Sequence, residues 1–383
     1  MTRLKNIDYL IFIPYIVLCT IGIIMVYSAS ANIGTQNGGS PTSYLIKQSM
    51  FVVVSLVIVF IMTRIKLSKL QNMVALNLGW GLFLAVLIGL RVVGKSINGA
   101  AGWIQLGPIN IQPAEFIKYF IIIYLADVIS RNEDEILEYG KIFSLRNNPI
   151  IKTYCQVIIL ILLILIQPDT GNATICFIIA LTMILANGVS WKKSATIIGL
   201  GISAIAFGLF IVSSSNLSKS NWYGLQRIVS FSNPFKFENG SGQQLINSYY
   251  AISNGGIFGK GLGNSIQKTG YLPEPNTDFI ISIMSEELGM IFVLIVLALM
   301  AILILRILLL GIRNTSTYQS LICYGVAAYL TIQVFFNFGG VIGLIPITGV
   351  TFPFISYGGS SIITLSLSIG TVLNISRRQK RQS

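Results

Sequence analysis

Four carboxylates stand where a long apolar run begins. The stretch YLPEPNTDFIISIMSEELG, residues 271–289, carries Glu274, Asp278, Glu286 and Glu287, although the chain has only 13 acidic residues. A carboxylate at membrane depth is costly and as a rule faces a polar cavity or a partner. The chain has no histidine, so the commonest general base and metal ligand is missing. Acid–base chemistry must run on carboxylates, lysine or tyrosine. Thr277 reads as the N-cap of the helix that follows, which puts Asp278 in the first turn, where the helix dipole favours negative charge. Asp278, Ser282 and Glu286 then share one face at i, i+4 spacing and predict a polar stripe lining a cavity. Dipole compensation alone would account for Asp278 and for Glu274 before it. It would not account for Glu286 and Glu287.

Other charged and aromatic residues also sit in unusual surroundings. Glu115 and Lys118, in QPAEFIKYF, are three apart on an apolar run. They can pair on one helix face, which lowers the cost of placing either in a membrane. The pair either fixes helix packing or offers the Lys118 charge to an anionic substrate group. Arg227, in LQRIVSF, lies among aromatics, and arginine is a natural binder of phosphate. Trp103 sits among Gly99, Gly102 and Gly107 in a loop, where an interfacial tryptophan is common. Asp169, in QPDTGNAT, belongs to a tight turn or to a site.

The elements that must position these residues are membrane spans. The chain is 54% hydrophobic and only 10% charged, against about 25% charged residues in soluble domains. Apolar runs of about 17–25 residues, enough to cross a bilayer, lie near 8–30, 44–63, 71–91, 113–130, 151–167, 172–190, 194–214, 279–305, 316–338 and 353–376. The reading is an all-α, ten-span integral membrane protein forming one domain over 1–383. With the N-terminus inside, cytoplasmic segments hold 17 of the 26 Lys and Arg residues and outer segments hold 8. This asymmetry puts both termini in the cytoplasm. The first run has no small-residue cleavage site after it and reads as a retained helix. The outer side then receives residues 95–116, a loop near 215–277 between spans seven and eight, and 339–361. These are rich in Gly, Pro and aromatics, a composition of ordered loops rather than disordered ones.

Several chemistries are excluded. Cys19, Cys155, Cys176 and Cys323 lie in or beside apolar runs at unrelated spacings, which is neither a disulfide framework nor a zinc site. GKGLGNS lacks the Gly-Lys-Ser/Thr ending of a P-loop and follows no strand. The net charge of +13 is spread over loops rather than gathered in a patch, so no nucleic acid is implied. Ten spans with internal charges and broken Gly/Pro segments also describe a carrier. Against that, the polar material lies in outer loops rather than at the midplane.

In order, the chain contains GAAGWIQLGPINIQPAEFIK, QPDTGNA, QR with a following NPF, SYYAISNGGIFGKGLGNS, YLPEPNTDFI with SEELG, and GLIPITGVTFPFISYGGSS. Over about residues 8–376 it resembles the SEDS family (shape, elongation, division, sporulation), whose members have ten transmembrane helices. The resemblance implies a peptidoglycan glycosyltransferase that polymerises lipid II, an undecaprenyl-pyrophosphate-linked substrate, on the outer face of the cytoplasmic membrane. The family's catalytic aspartate falls on Asp278. Its characteristic tryptophan falls on Trp103, its Glu/Lys pair on Glu115 and Lys118, and its arginine on Arg227. Glu274 and Asp169 join these four as candidate substrate-binding residues. Gly102 stands where the family usually has arginine and Ala114 where it usually has serine, so the substrate groove need not match in detail. The resemblance further implies a class B penicillin-binding protein as transpeptidase partner, with other division proteins and membrane lipid around it. No cofactor is required, though a divalent cation, Mg or Mn, would suit a pyrophosphate leaving group. The motifs look more like the division-type members of Gram-positive bacteria, acting at the septum, than the elongation type. A lipid II flippase is the rival reading.

Overall fold

The computed structural model describes residues 7–32, 42–93, 95–97, 100–106, 109–133, 149–186, 196, 199, 231, 233–237 and 242–382. Helices are α1 Tyr9–Ala29, α2 Thr42–Met62, α3 Met73–Val93, α4 Pro113–Arg131, α5 Pro149–Ile166 and α6 Thr170–Leu185. After them come α7 Gln243–Gly255, α8 Ile280–Ile312, α9 Thr317–Val341 and α10 Gly359–Gln382. Nine of the ten expected spans thus have a helix. The seventh, 194–214, lies outside the described residues apart from 196 and 199, as does the first part of the long loop. Six of the helices are long and apolar enough to cross a bilayer, and α5 and α6 are shorter apolar helices.

A chain this apolar cannot leave backbone groups unpaired in lipid, which forces helices wherever it crosses. Their packing is set by where small and polar side chains interrupt the hydrocarbon. α4 is the hub, buried nearly all round: Ile117, Ile121, Ile122, Tyr124 and Leu125 have almost no exposed surface. It packs against α5, α6, α9 and α10. The Tyr124 hydroxyl donates to Gln156 Oε1 (2.7 Å) and Asn77 Oδ1 (3.1 Å), tying α4 to α5 and α3.

The bundle has two polar ends. At one end Asp8 caps α1 and pairs with Arg306 at 2.8 Å, while Ser376 donates to the same carboxylate. Asn374 reaches the Met62 and Ile65 carbonyls, and Arg131 pairs with Asp127 and meets the Gln71 carbonyl. Ile7 and Lys380, near the first and last described residues, meet here. The motif-bearing loops lie at the opposite end.

Two features depart from the expected all-α spans. Residues 95–111 form a small antiparallel sheet, β1 Lys95–Ile97, β2 Ala100–Leu106 and β3 Ile109–Ile111, in the order β1-β2-β3. In sequence the run reads as a glycine-punctuated loop because β1 and β3 are three residues each and β2, AAGWIQL, does not alternate apolar with polar residues. The second departure is α8. Its 33 residues would measure about 50 Å as one helix, but it breaks at Gly289, with φ 82° and ψ 171°.

The break frees two carbonyls and two amides, and the loop after α7 satisfies all four. Lys260 and Gly261 donate to the Glu286 and Glu287 carbonyls (both 2.9 Å). Met290 and Ile291 donate to the Gly256 and Ile257 carbonyls (3.0 and 3.3 Å). A discontinuous span is tolerated because protein backbone replaces the missing helix bonds. The close approach needs bare Cα atoms: a Cβ on Gly289 would stand 2.3 Å from the Ile257 oxygen, and one on Gly259 2.3 Å from the Glu287 oxygen.

Candidate active site

Asp278 is half-buried at the motif-bearing end of the bundle, just before α8. It lines a narrow cleft with Phe279, Asn337, Val341, Thr348 and Val350, among others. The helix begins at Ile280 with Phe279 as its cap, so Asp278 lies ahead of the first turn, and Thr277 is not the cap. The Thr277 hydroxyl donates instead to the Glu274 carboxylate, 3.1 Å away.

Three successive main-chain carbonyls hold the Asp278 segment. Tyr357 N donates to Asn276 O (2.8 Å), Ser356 Oγ to Thr277 O (2.6 Å), and Asn337 Nδ2 to Asp278 O (2.8 Å). Asn276 Nδ2 adds a bond to Ser30 Oγ on the α1 side (3.0 Å). Segment 345–358 and α9 therefore fix the backbone of the segment that carries Asp278 into the cleft. Phe354, at φ 65°, turns that segment, and its ring meets Tyr15 edge-on at 5.3 Å.

The expected polar stripe on α8 does not line a cavity. Ser282 pairs with Ser248 of α7 at 2.8 Å. Glu286, fully buried, accepts from Asn254 Nδ2 and Gln267 N (both 3.2 Å) and from Ser265 Oγ. Glu287, also fully buried, accepts from Ser28 Oγ at 2.6 Å and pairs with Lys268 at 2.6 Å. A buried carboxylate persists only when partnered, and here the partners come from the long loop and α1. Glu286 and Glu287 are clamps that pin the loop leading to Asp278.

A second polar cluster lies in α4, α6 and α9. Lys118, with no exposed surface, pairs with Glu115 at 2.8 Å, as the spacing predicted. Glu115 also accepts from the Tyr329 hydroxyl (3.2 Å). Asp169 caps α6 by accepting from Asn172 N (3.1 Å) and receives Gln112 Nε2 at 2.7 Å. The turn reading of Asp169 is therefore met, and its carboxylate is occupied. Gln112 N is bonded to Ser360 Oγ (3.0 Å), and a Cβ on Gly171 would strike the Thr348 carbonyl at 2.8 Å. Segment 348–360 thus forms a shared wall between this cluster and the Asp278 cleft.

Among the remaining candidates, Trp103 is half-buried on β2, with its Cα paired to that of Lys95. Glu274 is exposed, at φ 53°. Arg227 lies outside the described residues. Among the described residues no three acidic or cysteine side chains gather to hold a metal ion. Asp278 is the one carboxylate lining the cleft, so a divalent cation would need the substrate's own phosphates as its other ligands.

The model of the FtsW/RodA/SpoVE family, described as cell cycle proteins, matches residues 8–381. The chain belongs to this family. Among similar proteins, one from Lactococcus lactis named "Probable peptidoglycan glycosyltransferase FtsW" is 43% identical, over 98% of this chain and 93% of its own. A Bacillus subtilis protein of the same name is 39% identical, over 97% and 91%. A solved chain from a peptidoglycan synthase complex, one whose polymerization and crosslinking are structurally coordinated, superposes with a TM-score of 0.75. It is 24% identical and covers 98% of this chain and 99% of its own, a likeness of fold.

Within the family fold, the departure at Gly102 acquires a physical setting. A Cβ there would lie 3.1 Å from Gln167 Oε1, and Gln167 Nε2 is held by the Leu87 carbonyl at 2.8 Å. A Cβ at 102, arginine's included, would require this amide to give by a few tenths of an ångström. Reading the residues one by one also missed Asn337, Thr348, Gln112 and Tyr329. Asn337 and Gln333 were legible as amides one turn apart in an apolar span. Thr348 carried no signal.

Proposed function

We propose that the chain is a peptidoglycan glycosyltransferase of the division type, which polymerises lipid II on the outer face of the cytoplasmic membrane with both termini inside. The observation that carries this reading is Asp278: a carboxylate lining a cleft, on a three-residue segment whose carbonyls are held by three hydrogen bonds, in a chain up to 43% identical to proteins named for this activity. Chain growth needs the 4-hydroxyl of one sugar to attack the anomeric carbon of another. The bond to undecaprenyl pyrophosphate breaks with inversion. One positioned base suffices for such a step, and Asp278 accepts the hydroxyl proton. Positive charge stabilises the departing pyrophosphate. Arg227 is a candidate for direct contact, whereas Lys118 is buried against Glu115 and acts through its field or through packing.

Exchanging the two charges, Glu115→Lys with Lys118→Glu, separates those roles. If Lys118 serves the substrate, the exchange recovers the thermal stability lost in either single variant but not the polymerisation rate. Recovery of both returns the pair to packing alone.

The partner in this reading is a class B penicillin-binding protein with a single membrane helix. On α8, Ile291, Leu294, Ile295, Ile302, Leu305 and Leu309 are exposed, an apolar face on which one helix can pack. The test is polymer formation from lipid II by the purified chain, with and without a partner whose transpeptidase serine is inactivated. The expected result is slow polymerisation alone and a faster rate with the partner, since docking biases the loop that carries Asp278. Equal rates would remove the partner's activating role. Lipid II movement across vesicles without polymer would favour the flippase reading instead.

A further inference from the structure

The turn between α2 and α3 collects cations that the bundle leaves without a counter-charge. Arg64, Lys66 and Lys69 line an open groove of about 500 Å³, with Phe60, Ile61 and Ile65 as its apolar wall. All three cations are exposed. The four ion pairs among the described residues go to other lysines and arginines. Asp8 and Asp127, at this end of the bundle, are taken by Arg306 and Arg131, and Glu133 is not part of the groove's wall. The Arg64 guanidinium instead lies over the Phe60 ring, 3.9 Å from its centre. Three like charges within six residues repel one another, and an anion set among them removes that cost.

The groove is built before any ligand arrives. Asn374 of α10 donates to the carbonyls of Met62 (2.7 Å) and Ile65 (2.6 Å), which fixes the chain as it leaves α2. Leu67–Lys69 then form one turn of 3-10 helix. α10 also brings two more cations to this turn: Arg378 donates to Asn374 Oδ1 (3.0 Å) and Arg377 to the Thr63 carbonyl (3.4 Å). A ligand bound here pays little to order the backbone around it.

The apolar wall restricts what that ligand is. Val53, Val57, Phe60 and Ile61 recur at i, i+4, i+7 and i+8 and are all exposed, so they form one strip about 12 Å long on the lipid side of α2. The strip ends at the groove. A free phosphate would meet the cations and leave the strip bare. A zwitterionic lipid would cover the strip but carry its own cation in among three others. An anionic phospholipid uses both halves, its phosphate among the cations and an acyl chain along the strip.

We infer that the groove at the end of α2 binds the headgroup of an anionic phospholipid, with Arg64, Lys66 and Lys69 as its phosphate ligands. On the orientation proposed above, that lipid belongs to the inner leaflet, where basic pockets at helix ends suit such headgroups. The site is independent of Asp278 and of the glycosyl-transfer reading.

The test titrates the purified chain, stripped of lipid by detergent exchange, with phosphatidylglycerol and separately with phosphatidylcholine, and counts bound lipid by native mass spectrometry. The parent should retain phosphatidylglycerol in preference to phosphatidylcholine. Arg64→Gln with Lys69→Gln should weaken phosphatidylglycerol binding about 25-fold, at roughly fivefold for each basic residue facing an anionic headgroup. Lys152→Gln with Arg313→Gln removes the same charge from exposed positions outside the groove and should bind like the parent. Arg64→Lys with Lys69→Arg keeps both charges and should hold the lipid. Phosphatidylglycerol should raise the melting temperature of the parent, since it binds the folded chain, and leave that of the groove glutamine pair unmoved. Equal weakening in the two glutamine pairs would reduce the site to a diffuse positive face and overturn it. So would equal binding of the two lipids by the parent, or inorganic phosphate raising the melting temperature as far as phosphatidylglycerol does.

Discussion

Asparagine in place of Asp278 leaves the chain inserted and abundant and lowers lipid II polymerisation by about 10²–10⁴-fold, the usual worth of a general base. The fold should not notice. Hydrogen bonds that hold this segment run to the carbonyls of Asn276, Thr277 and Asp278, and those are unchanged by a side-chain amide of the same volume. What disappears is the basic oxygen. A purified Asp278→Asn protein with the parental melting temperature and near-parental glycan synthesis would remove the aspartate from the chemistry. A partial loss that shrinks as pH rises would instead point to a second base taking the proton. Glutamate at this position is a useful companion. It restores the charge but moves it by one methylene, and a base displaced by that much should recover little activity.

Much of the architecture was legible because membrane physics leaves few choices. A run of about twenty apolar residues must be a helix if it crosses lipid, so nine span positions could be read directly. Glu115 and Lys118 met as their spacing required. The sequence hid long-range partnership. Glu286 and Glu287 stood out as costly, but their partners Ser265, Lys268 and Ser28 come from the loop and from α1. No local pattern distinguishes a carboxylate that lines a cavity from one that receives a lysine across a fold. The same holds for Asn337. An amide in an apolar span is conspicuous, but its grip on the Asp278 carbonyl depends on how α9 meets the start of α8.

The break in α8 was illegible for a different reason. SEELGMIF reads as uninterrupted helix, since one glycine in an apolar run is tolerated at a cost of about 1 kcal/mol. Only the loop packed against it reveals that Gly289 adopts φ 82°. Gly259, in that loop, is a point of close backbone approach to α8.

That contact makes Gly289→Ala the second large expected effect. An alanine there faces two penalties at once. Its φ and ψ lie in a region that is essentially reserved for glycine, a strain of about 1–3 kcal/mol. Its Cβ would also lie 2.3 Å from Ile257 O, and 2.5 Å from both Gly259 N and Phe258 C. These atoms are backbone and cannot rotate away. Relief requires either separating the loop from α8 or straightening the helix. Either course strips the Glu286 and Glu287 carbonyls of the Lys260 and Gly261 amides. The total should exceed about 4 kcal/mol, which few single substitutions reach. The loss should be local before it is global, because the loop is what the alanine pushes. Limited proteolysis should then cut between residues 256 and 270 in the variant and spare the parent. Polymerisation should fall with it, since Glu287 and Lys268 pin the segment that delivers Asp278. Gly263→Ala is the internal control: it too has positive φ, 89°, but no atom lies within 4 Å of its added Cβ. It should pay the conformational strain without the collision and keep the loop docked. A Gly289→Ala protein that melts like the parent and resists the protease as well would mean that α8 runs straight through this point.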